Sequence, residues 1–509
     1  MFWLGLFFLA VFKWYIDLAM SWVVFGIGVI GAYWIYLLFT KEIINNREYF
    51  QNPFSASSFA NYAHTTGGIK WSRSSMIENA QDGIVINKYK FDWSVAKYFS
   101  SLMGFFTNKL QKDITIKPEA LKKGSLVIGQ MGAGKTVFLN NLLHQQFYKR
   151  ALLHDIKGDY CQKFYRSGKD VILNPFDARG ELWDVFEEAK TYPQIIKPFF
   201  NNLINGAVSK GENNFFANSA SDRYINIFYG VFAKELDTKE SWQMLIDEVN
   251  KYFKQILEDT QQKSEKDVVS TMKLIFEFFE YQNYLIQNGA KTFTIAKFLK
   301  RKDSKLFLLN KQSYATFLNP YFAGFISAFT NIFMDTTKDD TEDLTLFLLD
   351  EYLTFLSILD ENTLTTIHTL IRSKGGCLFP AVQYVPDYDK KLLQKLMNSV
   401  DHLFIFQTAD IPTTKIINEV IGKVEYETIN TNYSKGDKNK SISTQQSELL
   451  SNDILKGLGK DFSHVTFIPS RKILYKGYTK LLKLESKNNA FIEVEYGAYL
   501  LNKHKKENQ

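Results

Sequence analysis

Cysteine is nearly absent from this chain, and its scarcity excludes two kinds of structure. Only Cys161 and Cys377 occur among the 509 residues. Two cysteines cannot form a disulfide framework, and they are too few for the cysteine-rich sites that hold structural zinc. Such a composition is typical of proteins in a reducing cytosol. The sequence also contains no internal repeats.

A large excess of either charge is missing as well. The formal net charge is only +7 at pH 7, and the Lys-rich tail at residues 503–506 contributes to it. A charge of this size permits a nucleic-acid partner without indicating one. Length is more informative, because about 470 residues follow the apolar N-terminus, which is enough for two or three domains with sizeable cores.

A complete phosphate-binding loop (Walker A motif) is the most informative motif present. Its G-x-x-x-x-G-K-[ST] pattern follows the apolar run 126–128 and precedes a helical pattern, so an ordinary glycine-rich turn is the weaker interpretation. The glycines allow successive backbone N–H groups to face phosphate oxygens. We expect Lys135 to neutralise phosphate charge and the Thr136 hydroxyl to bind Mg²⁺. The predicted ATP- or GTP-binding residues are Gly129, Gln130, Met131, Gly132, Ala133, Gly134, Lys135 and Thr136.

Two acids, Asp350 and Glu351, follow the apolar segment 344–349. That segment is typical of a parallel strand covered on both faces, and its carboxyl end lies where ligands bind in open α/β sheets. We expect Asp350 to hold Mg²⁺ through water and Glu351 to polarise the attacking water. A solvated acidic turn is the alternative, which the phosphate-binding loop makes less attractive.

Two further residues are candidates for the same site. Gln383 ends the predicted strand 377–382, where its amide would lie beside the γ-phosphate or the attacking water. Arg372 lies upstream, and in a ring of subunits such an arginine can reach a neighbour's nucleotide. Taken alone, Gln383 is more often a satisfied strand-end amide and Arg372 more often a surface residue of a helix, and it is their order after Glu351 that favours the site.

Two other segments end predicted strands with charged or turn residues. Residues 153–159 end with charged residues on both sides of Gly158. This segment could form a subunit interface, part of the site or a solvated strand exit, and the sequence leaves all three interpretations open. Residues 173–179 contain Pro175, which disfavours helix at the preceding residue and therefore predicts a turn.

These motifs, in this order from about residue 115 to 425, suggest a family. The chain resembles the type IV secretion coupling proteins, the membrane-anchored TraD-like ATPases of bacterial conjugation. The resemblance implies a RecA-like, doubly wound parallel α/β sheet, a hexameric ring, and an inserted all-helical domain on the cytosolic face that engages DNA and the relaxase-bound complex. It rests on segments 129–136, 153–159, 173–179 and 349–351 with Arg372 and Gln383.

The N-terminus predicts a membrane anchor. Segment 18–39 is apolar and long enough to cross a bilayer, which needs about 20 residues. Segment 2–12 is too short to cross comfortably, so it is either the first leg of a hairpin, which the resemblance favours, or an interfacial segment. A cleaved signal peptide is disfavoured because no positive residue precedes the apolar run. Lys41 and Arg47 favour a cytoplasmic position for the rest of the chain.

Composition and periodicity divide the chain into five parts. A transmembrane anchor at 1–40 is followed by a connector and the start of the cytosolic body at 41–113. The nucleotide-binding domain is split into 114–181 and 293–509 by an all-helical insertion at 182–292, where apolar residues recur at helical spacing. The polar stretch 430–447 predicts a flexible surface loop.

Two classes of function compete at this stage. The first is an ATP-driven, homo-hexameric motor in the bacterial inner (cytoplasmic) membrane that moves single-stranded DNA with attached relaxase into a type IV secretion channel. The second is a membrane receptor for protein substrates that uses ATP binding mainly for assembly. Within the motor class, a double-stranded DNA translocase of the chromosome-segregation type is the alternative, although little chain remains for its usual C-terminal module.

Overall fold

The computed structural model describes most of the chain beyond residue 111, and it describes short pieces before it. The described residues are 13, 14, 17, 21, 63–65, 70–71, 84–89, 112–208, 214–258, 263–339, 342–384, 390–434, 437–459 and 462–507. The predicted anchor at 1–40 therefore lies outside the described residues except at four positions. Within the described part, no helix combines the length and the apolar character that crossing a bilayer requires.

The described chain forms two compact units. The smaller unit contains residues up to Trp71 together with Gly422–Leu449, and the larger unit contains Ser72–Ile421 and Leu450–Gln509. Strands occur in both units. In chain order they are β1 (Ala63–Thr65), β2 (Lys70–Trp71), β3 (Ile84–Tyr89), β4 (Lys112–Ile116), β5 (Ser125–Ile128), β6 (Arg150–Asp155), β7 (Val171–Leu173), β8 (Leu182–Trp183), β9 (Thr292–Phe293), β10 (Ser304–Leu309), β11 (Thr345–Leu349), β12 (Gly376–Val382), β13 (His402–Ile405), β14 (Lys423–Ser434), β15 (Asp437–Glu448), β16 (Ser463–Ile468) and β17 (Ile473–Tyr478).

Helices connect and cover these strands. In chain order they are α1 (Lys135–His144), α2 (Asp159–Phe164), α3 (Val185–Ala189), α4 (Ile196–Ala207), α5 (Asn214–Phe232), α6 (Thr238–Glu258), α7 (Lys263–Gln287), α8 (Ile295–Lys300), α9 (Ala315–Thr336), α10 (Leu353–Leu356), α11 (Glu361–Thr365), α12 (Lys390–Ser399), α13 (Ile411–Ile421), α14 (Asn452–Lys456) and α15 (Tyr496–Glu507). Short 3₁₀ helices occur at Pro118–Lys123, Pro193–Ile195, Gln312–Tyr314, Ile371–Lys374 and Pro469–Arg471, and Thr366–Leu370 is a π-helix.

A mostly parallel sheet forms the centre of the larger unit. Strands β13-β5-β12-β11-β6-β10-β7 are neighbours in this order and run parallel. They are buried along their length, which explains why they appear in the sequence as continuous apolar runs. The predicted α/β fold with a parallel sheet is confirmed for this part.

The sheet is not parallel throughout, which corrects the prediction. Strands β16, β17, β3 and β4 extend it beyond β13 in antiparallel pairs. The connection from β16 to β17 contains only the short helix Pro469–Arg471 and Lys472. So short a connection permits a tight antiparallel turn and excludes the long crossover that a parallel pair requires.

Parallel pairing brings the carboxyl ends of four strands to one edge. Leu349 of β11 is in register with His154 of β6 and Pro380 of β12. Val382 of β12 is in register with Ile128 of β5. The segments that follow these strands therefore emerge side by side.

The segment between β8 and β9 is helical and comprises α3 to α7. The two short strands at its ends pair in parallel, so the chain enters and leaves this segment at neighbouring points. Phe253, Ile275, Phe278 and Phe279 are buried at the helical spacing noted in the sequence. Those aromatic residues form a core, as ring pairs such as Phe186 with Phe228, 4.5 Å apart, illustrate.

Helix α9 is apolar on all sides and lies between the inserted helices and the sheet. On one side Phe325 contacts Trp183, with ring centroids 5.3 Å apart, and Tyr321 contacts Phe278 at 5.0 Å. On the other side Phe333 contacts Phe347 of β11 at 5.2 Å. A helix that is hydrophobic around its circumference is stable only when it is covered on every face.

The smaller unit contains a long hairpin. Strands β14 and β15 pair antiparallel from Lys423 with Glu448 to Ser434 with Asp437, and β1 pairs with β14. The sequence predicts a flexible loop at 430–447, whereas the described residues of that stretch lie in these strands. The prediction failed because polar residues on both faces of a strand leave no hydrophobic alternation to detect.

Candidate nucleotide site

The loop between β5 and α1 adopts the conformation that its glycines allow. Gly134, the N-cap of α1, has φ +104°, and a Cβ at this position would lie 2.8 Å from the ring of Phe462. Only glycine combines that dihedral with so close an approach. The backbone N–H of Gln130 donates to the Gln407 carbonyl at 2.8 Å, which attaches the loop to the segment after β13.

Lys135 is buried at the first turn of α1. Its Nζ donates to the carbonyl of Gly129 and, at 3.2 Å, to that of Gln130. Burial lowers the pKa of this lysine, and the carboxylates of Asp350 and Glu351 oppose the change. The loop lysine and the two acids therefore act on one another electrostatically within one site.

Asp350 lies directly after β11 and is held by several hydrogen bonds. Its Oδ2 accepts from the Tyr160 hydroxyl at 3.1 Å, and its Oδ1 accepts from the backbone N–H of Glu351 at 3.0 Å. Burial raises the pKa of the Asp350 carboxyl, while the Tyr160 hydroxyl and the Lys135 ammonium oppose this rise. The two hydrogen bonds fix the orientation of the Asp350 carboxylate at the pocket.

Glu351 and Gln383 meet across the ends of β11 and β12. The amide of Gln383 donates to Oε1 of Glu351. Burial raises the pKa of Glu351, and the neighbouring Asp350 adds to this rise. Glu351 also has φ +51°, a left-handed conformation that is uncommon for a residue with a side chain.

The structure brings most of the predicted site residues together around one pocket. Gly129 and Ala133 are the exceptions in the loop, because both lie buried beneath it. The sequence left the role of Lys157 and Asp159 open, although their position after β6 indicated the ligand edge of the sheet. Phe462 was not predicted as a pocket residue, because no local pattern marks it. The pocket is lined by Gln130, Met131, Gly132, Gly134, Lys135, Thr136, Val137, Asp155, Ile156, Lys157, Asp159, Asp350, Glu351, Gln383 and Phe462.

Arg372 is not brought to this pocket. It is exposed in the 3₁₀ helix Ile371–Lys374, directly before β12, whereas Gln383 follows the other end of that strand. The carbonyl of Gly375, between this helix and β12, accepts from the backbone N–H of Thr345 at the start of β11, at 2.9 Å. Within its own chain, Arg372 therefore lies at the opposite edge of the sheet from the pocket.

The turn after β6 combines a buried acid with a helix N-terminus. Oδ2 of Asp155 accepts from the backbone N–H groups of Tyr160 and Cys161, at 3.0 and 2.8 Å. Burial raises the pKa of Asp155 to about 7, although both hydrogen bonds oppose that rise. These bonds satisfy the first N–H groups of α2 and hold the turn at the pocket wall.

Segment 173–179 holds the chain's own C-terminal part. Residues 479–495, named here the C-terminal strap, contain neither helix nor strand beyond one isolated bridge. Oδ2 of Asp177 accepts from the backbone N–H of Ile492 at 2.9 Å, and Arg179 donates to the carbonyls of Asn489 and Ala490 at 2.9 and 3.2 Å. Asp177 and Arg179 also form an ion pair at 2.8 Å.

The fold and the pocket define a class: an α/β protein in which a phosphate-binding loop faces two acids at the end of a neighbouring parallel strand. Residues 111–452 match the family model of the type IV secretion-system coupling protein DNA-binding domain, and the chain belongs to this family. Coupling protein TraD of Escherichia coli (strain K12) is 23% identical over 332 residues, which are 60% of this chain. The chain spans 45% of the length of that relative.

Solved structures show the same fold. The bacterial conjugative coupling protein TrwBdeltaN70, in an unbound form, aligns with a TM-score of 0.60 and 18% identity over 75% of this chain and 90% of its own. The plasmid coupling protein TrwB in complex with ADP and Mg²⁺ aligns with a TM-score of 0.57 and 16% identity over 75% of this chain and 90% of its own.

Proposed function

We propose that this chain is a membrane-anchored ATPase that recruits single-stranded DNA with its attached relaxase and drives both into a type IV secretion channel during conjugation. The observation that carries the proposal is the convergence of the phosphate-binding loop, Asp350, Glu351 and Gln383 on one pocket. Membership of the coupling protein family supports the conjugative role.

The donor atoms of the pocket fit Mg²⁺ and a nucleoside triphosphate. Thr136 and Asp350 offer a hydroxyl and a carboxylate, the hard oxygen ligands that Mg²⁺ prefers. When bound, Mg²⁺ offsets the charge that develops on the phosphates. The complex of the related TrwB with ADP and Mg²⁺ agrees with this assignment.

We assign roles in hydrolysis to three polar side chains of the pocket: Lys135, Glu351 and Gln383. Lys135 balances phosphate charge, and the loop amides hold the phosphate oxygens. Glu351, half-buried and oriented by the Gln383 amide, accepts the proton of the attacking water. Gln383 lies close enough to Glu351 to orient the same water.

For assembly and location, our proposal rests on resemblance to the family and not on the pocket. We place the chain in the bacterial inner membrane with the nucleotide-binding body in the cytoplasm, as a homo-hexamer. In such a ring we assign Arg372 to the pocket of a neighbouring subunit, since it is exposed and does not line its own.

Turnover by the purified full chain tests the proposal. Wild-type protein should hydrolyse ATP with Mg²⁺ present, and single-stranded DNA should increase kcat. Glu351→Gln keeps the size of the side chain but removes the base, so it should reduce hydrolysis by about 100-fold or more while a fluorescent ATP analogue still binds. Glu258→Gln, an exposed change at the end of α6, is the matched control and should leave kcat unchanged.

The DNA arm of the experiment separates the alternatives. Stimulation by double-stranded but not single-stranded DNA would favour a translocase of the chromosome-segregation type over the conjugative motor. Binding without turnover, with no effect of DNA, would favour a receptor for protein substrates. Full activity of Glu351→Gln would show that Glu351 is not the general base of hydrolysis.

A further inference from the structure

A fully buried histidine lies directly behind the two acids of the pocket. His154 belongs to β6, and its Nδ1 lies 2.6 Å from the main-chain carbonyl oxygen of Asp350. The rings of Phe322 and Phe355 pack edge-on against the imidazole, with centroids 6.2 and 4.6 Å away. The orientation of this ring is therefore confined by its neighbours.

The hydrogen bonds around His154 select one tautomer. The Asp350 carbonyl can only accept, so Nδ1 carries the proton and donates it. Nε2 is then an acceptor, and Nδ2 of Asn310 lies 3.2 Å from it as its donor. The second hydrogen of that amide is donated to Oδ1 of Asn319 at 2.6 Å. Asn310 thus holds the tautomer that Asp350 requires.

The carbonyl that His154 contacts belongs to a peptide group under unusual constraint. Glu351 follows it with φ +51°, and a left-handed backbone is strained for a residue with a side chain. This peptide group is held at both ends: its oxygen accepts from His154, and its N–H donates to Oδ1 of Asp350 at 3.0 Å. Such strain persists only where neighbouring groups over-determine the conformation.

We propose that His154 is a positioning residue for ATP hydrolysis: by fixing the peptide group between Asp350 and Glu351, its imidazole directs the Glu351 carboxylate into the pocket. The inference rests on the proposed ATPase function and deepens it. His154 has no exposed surface and does not line the pocket, so it acts through Glu351 and not on the substrate.

Two polar substitutions at this position test the inference. In His154→Asn the amide nitrogen takes nearly the position of Nδ1, so the bond to Asp350 is kept. In His154→Gln the amide reaches toward the position of Nε2, so that bond is lost. We expect His154→Gln to lower kcat by about 10- to 100-fold, and His154→Asn to stay within about threefold of wild type. The affinity for a fluorescent ATP analogue should change by less than about threefold in both, because the phosphate-binding loop is untouched.

Controls separate positioning from stability. His402 is buried at the start of β13 in the same sheet, at the edge away from the pocket, and His402→Gln should leave kcat unchanged. Thermal unfolding midpoints are measured for all variants. Equal kcat for His154→Asn and His154→Gln, or a loss that His402→Gln reproduces, would overturn the inference. Failure of the wild type to hydrolyse ATP would instead contradict the proposed function.

Discussion

Burial is the largest influence on the pKa of several key side chains in this molecule. Lys135 and Asp350 are opposite charges in one pocket, yet loss of water is the largest influence on the pKa of each. The pKa values of His154, His402 and His464 are all lowered to about 4 by burial alone or chiefly by it. Each of these histidines is therefore neutral in the folded protein at pH 7.

Buried neutral histidines should make the fold sensitive to acid. His464 in β16 stacks on Phe406 at 4.5 Å, and its folded pKa of about 4 lies below the value of 6.5 expected when unfolded. Its contribution to stability is thus complete above pH 6.5 and is lost as pH falls toward 4. His464→Phe removes the proton-binding group, so the loss of unfolding free energy between pH 7.5 and 5 should shrink by up to about 2 kcal/mol.

Urea unfolding at the two pH values measures this difference. The variant also loses the hydrogen bond to the Phe462 carbonyl, but that cost is independent of pH. His144→Phe, an exposed change in α1, is the control for losing a histidine outside the core. An identical pH dependence in His464→Phe and wild type would show that His464 is not buried neutral.

The residues that sequence could predict are those whose role is encoded locally. The phosphate-binding loop and Asp350 with Glu351 each follow an apolar run, so their chemistry and their place at a strand end are visible together. His154 and Phe462 act through residues about 200 and 330 positions away in the chain, and no local pattern records such contacts. The left-handed backbone of Glu351 could not be predicted either, because glutamate is not a residue type that marks turns.

At the scale of elements, the C-terminal strap joins parts that are far apart in sequence. Asn488 donates to the Tyr165 carbonyl at 2.9 Å, after α2. The helix α15 that follows the strap contacts α7, where the hydroxyl of Tyr496 donates to Glu277 at 2.6 Å. Segment 173–179, prominent in the sequence, therefore serves to hold this strap between the sheet and the inserted helices.

The contact of the strap with the pocket wall can be tested by a matched pair of glycines. Gly158 and Gly168 have φ +73° and +75°, so alanine imposes the same backbone strain at both. A Cβ on Gly158 would lie 2.6 Å from Cβ of Ala490 in the strap, whereas Gly168 faces open space. Gly158→Ala should displace the strap, and trypsin should cleave at Lys487 several-fold faster than in Gly168→Ala.

Mass spectrometry of short digests identifies the cleavage site. Equal rates of cleavage at Lys487 in the two variants would mean that the strap adapts to the added methyl group. The free energy of unfolding should fall by about 1–2 kcal/mol in both variants because of the shared backbone strain. It should fall further only in Gly158→Ala.

Elements differed in how well sequence predicted them. Strands covered on both faces, such as β6 and β11, were predicted because burial demands continuous apolar residues. The pairing of the β14 and β15 hairpin and of the antiparallel side of the sheet was not predicted, since tertiary contacts choose the pairing partners and a strand's own sequence does not signal them.

At the scale of the whole assembly, Arg372 predicts activity shared between subunits. Lys135→Ala should abolish nucleotide binding in its own pocket but leave Arg372 intact. Arg372→Ala should keep nucleotide binding but remove the arginine that reaches the neighbouring pocket. Each variant alone should be inactive. An equal mixture should recover up to about a quarter of wild-type turnover, because one interface in four then combines an intact loop with an intact arginine.

ATP hydrolysis by the mixture, after dissociation and reassembly, measures this complementation. A mixture no more active than the mean of its two components would contradict a role for Arg372 across an interface. Wild-type activity of Arg372→Ala alone would show that the exposed arginine takes no part in hydrolysis.

The position of α9 limits how this protein can vary between relatives. Its residues contact both the inserted helices and β11, so neither neighbour is complete without it. Exchanging residues 184–291 alone for the equivalent part of a distant relative would pair a foreign surface with a native α9. A working chimera must therefore carry the donor's α9 as well, and natural recombination that replaced the inserted helices would be expected to transfer the two segments as one block.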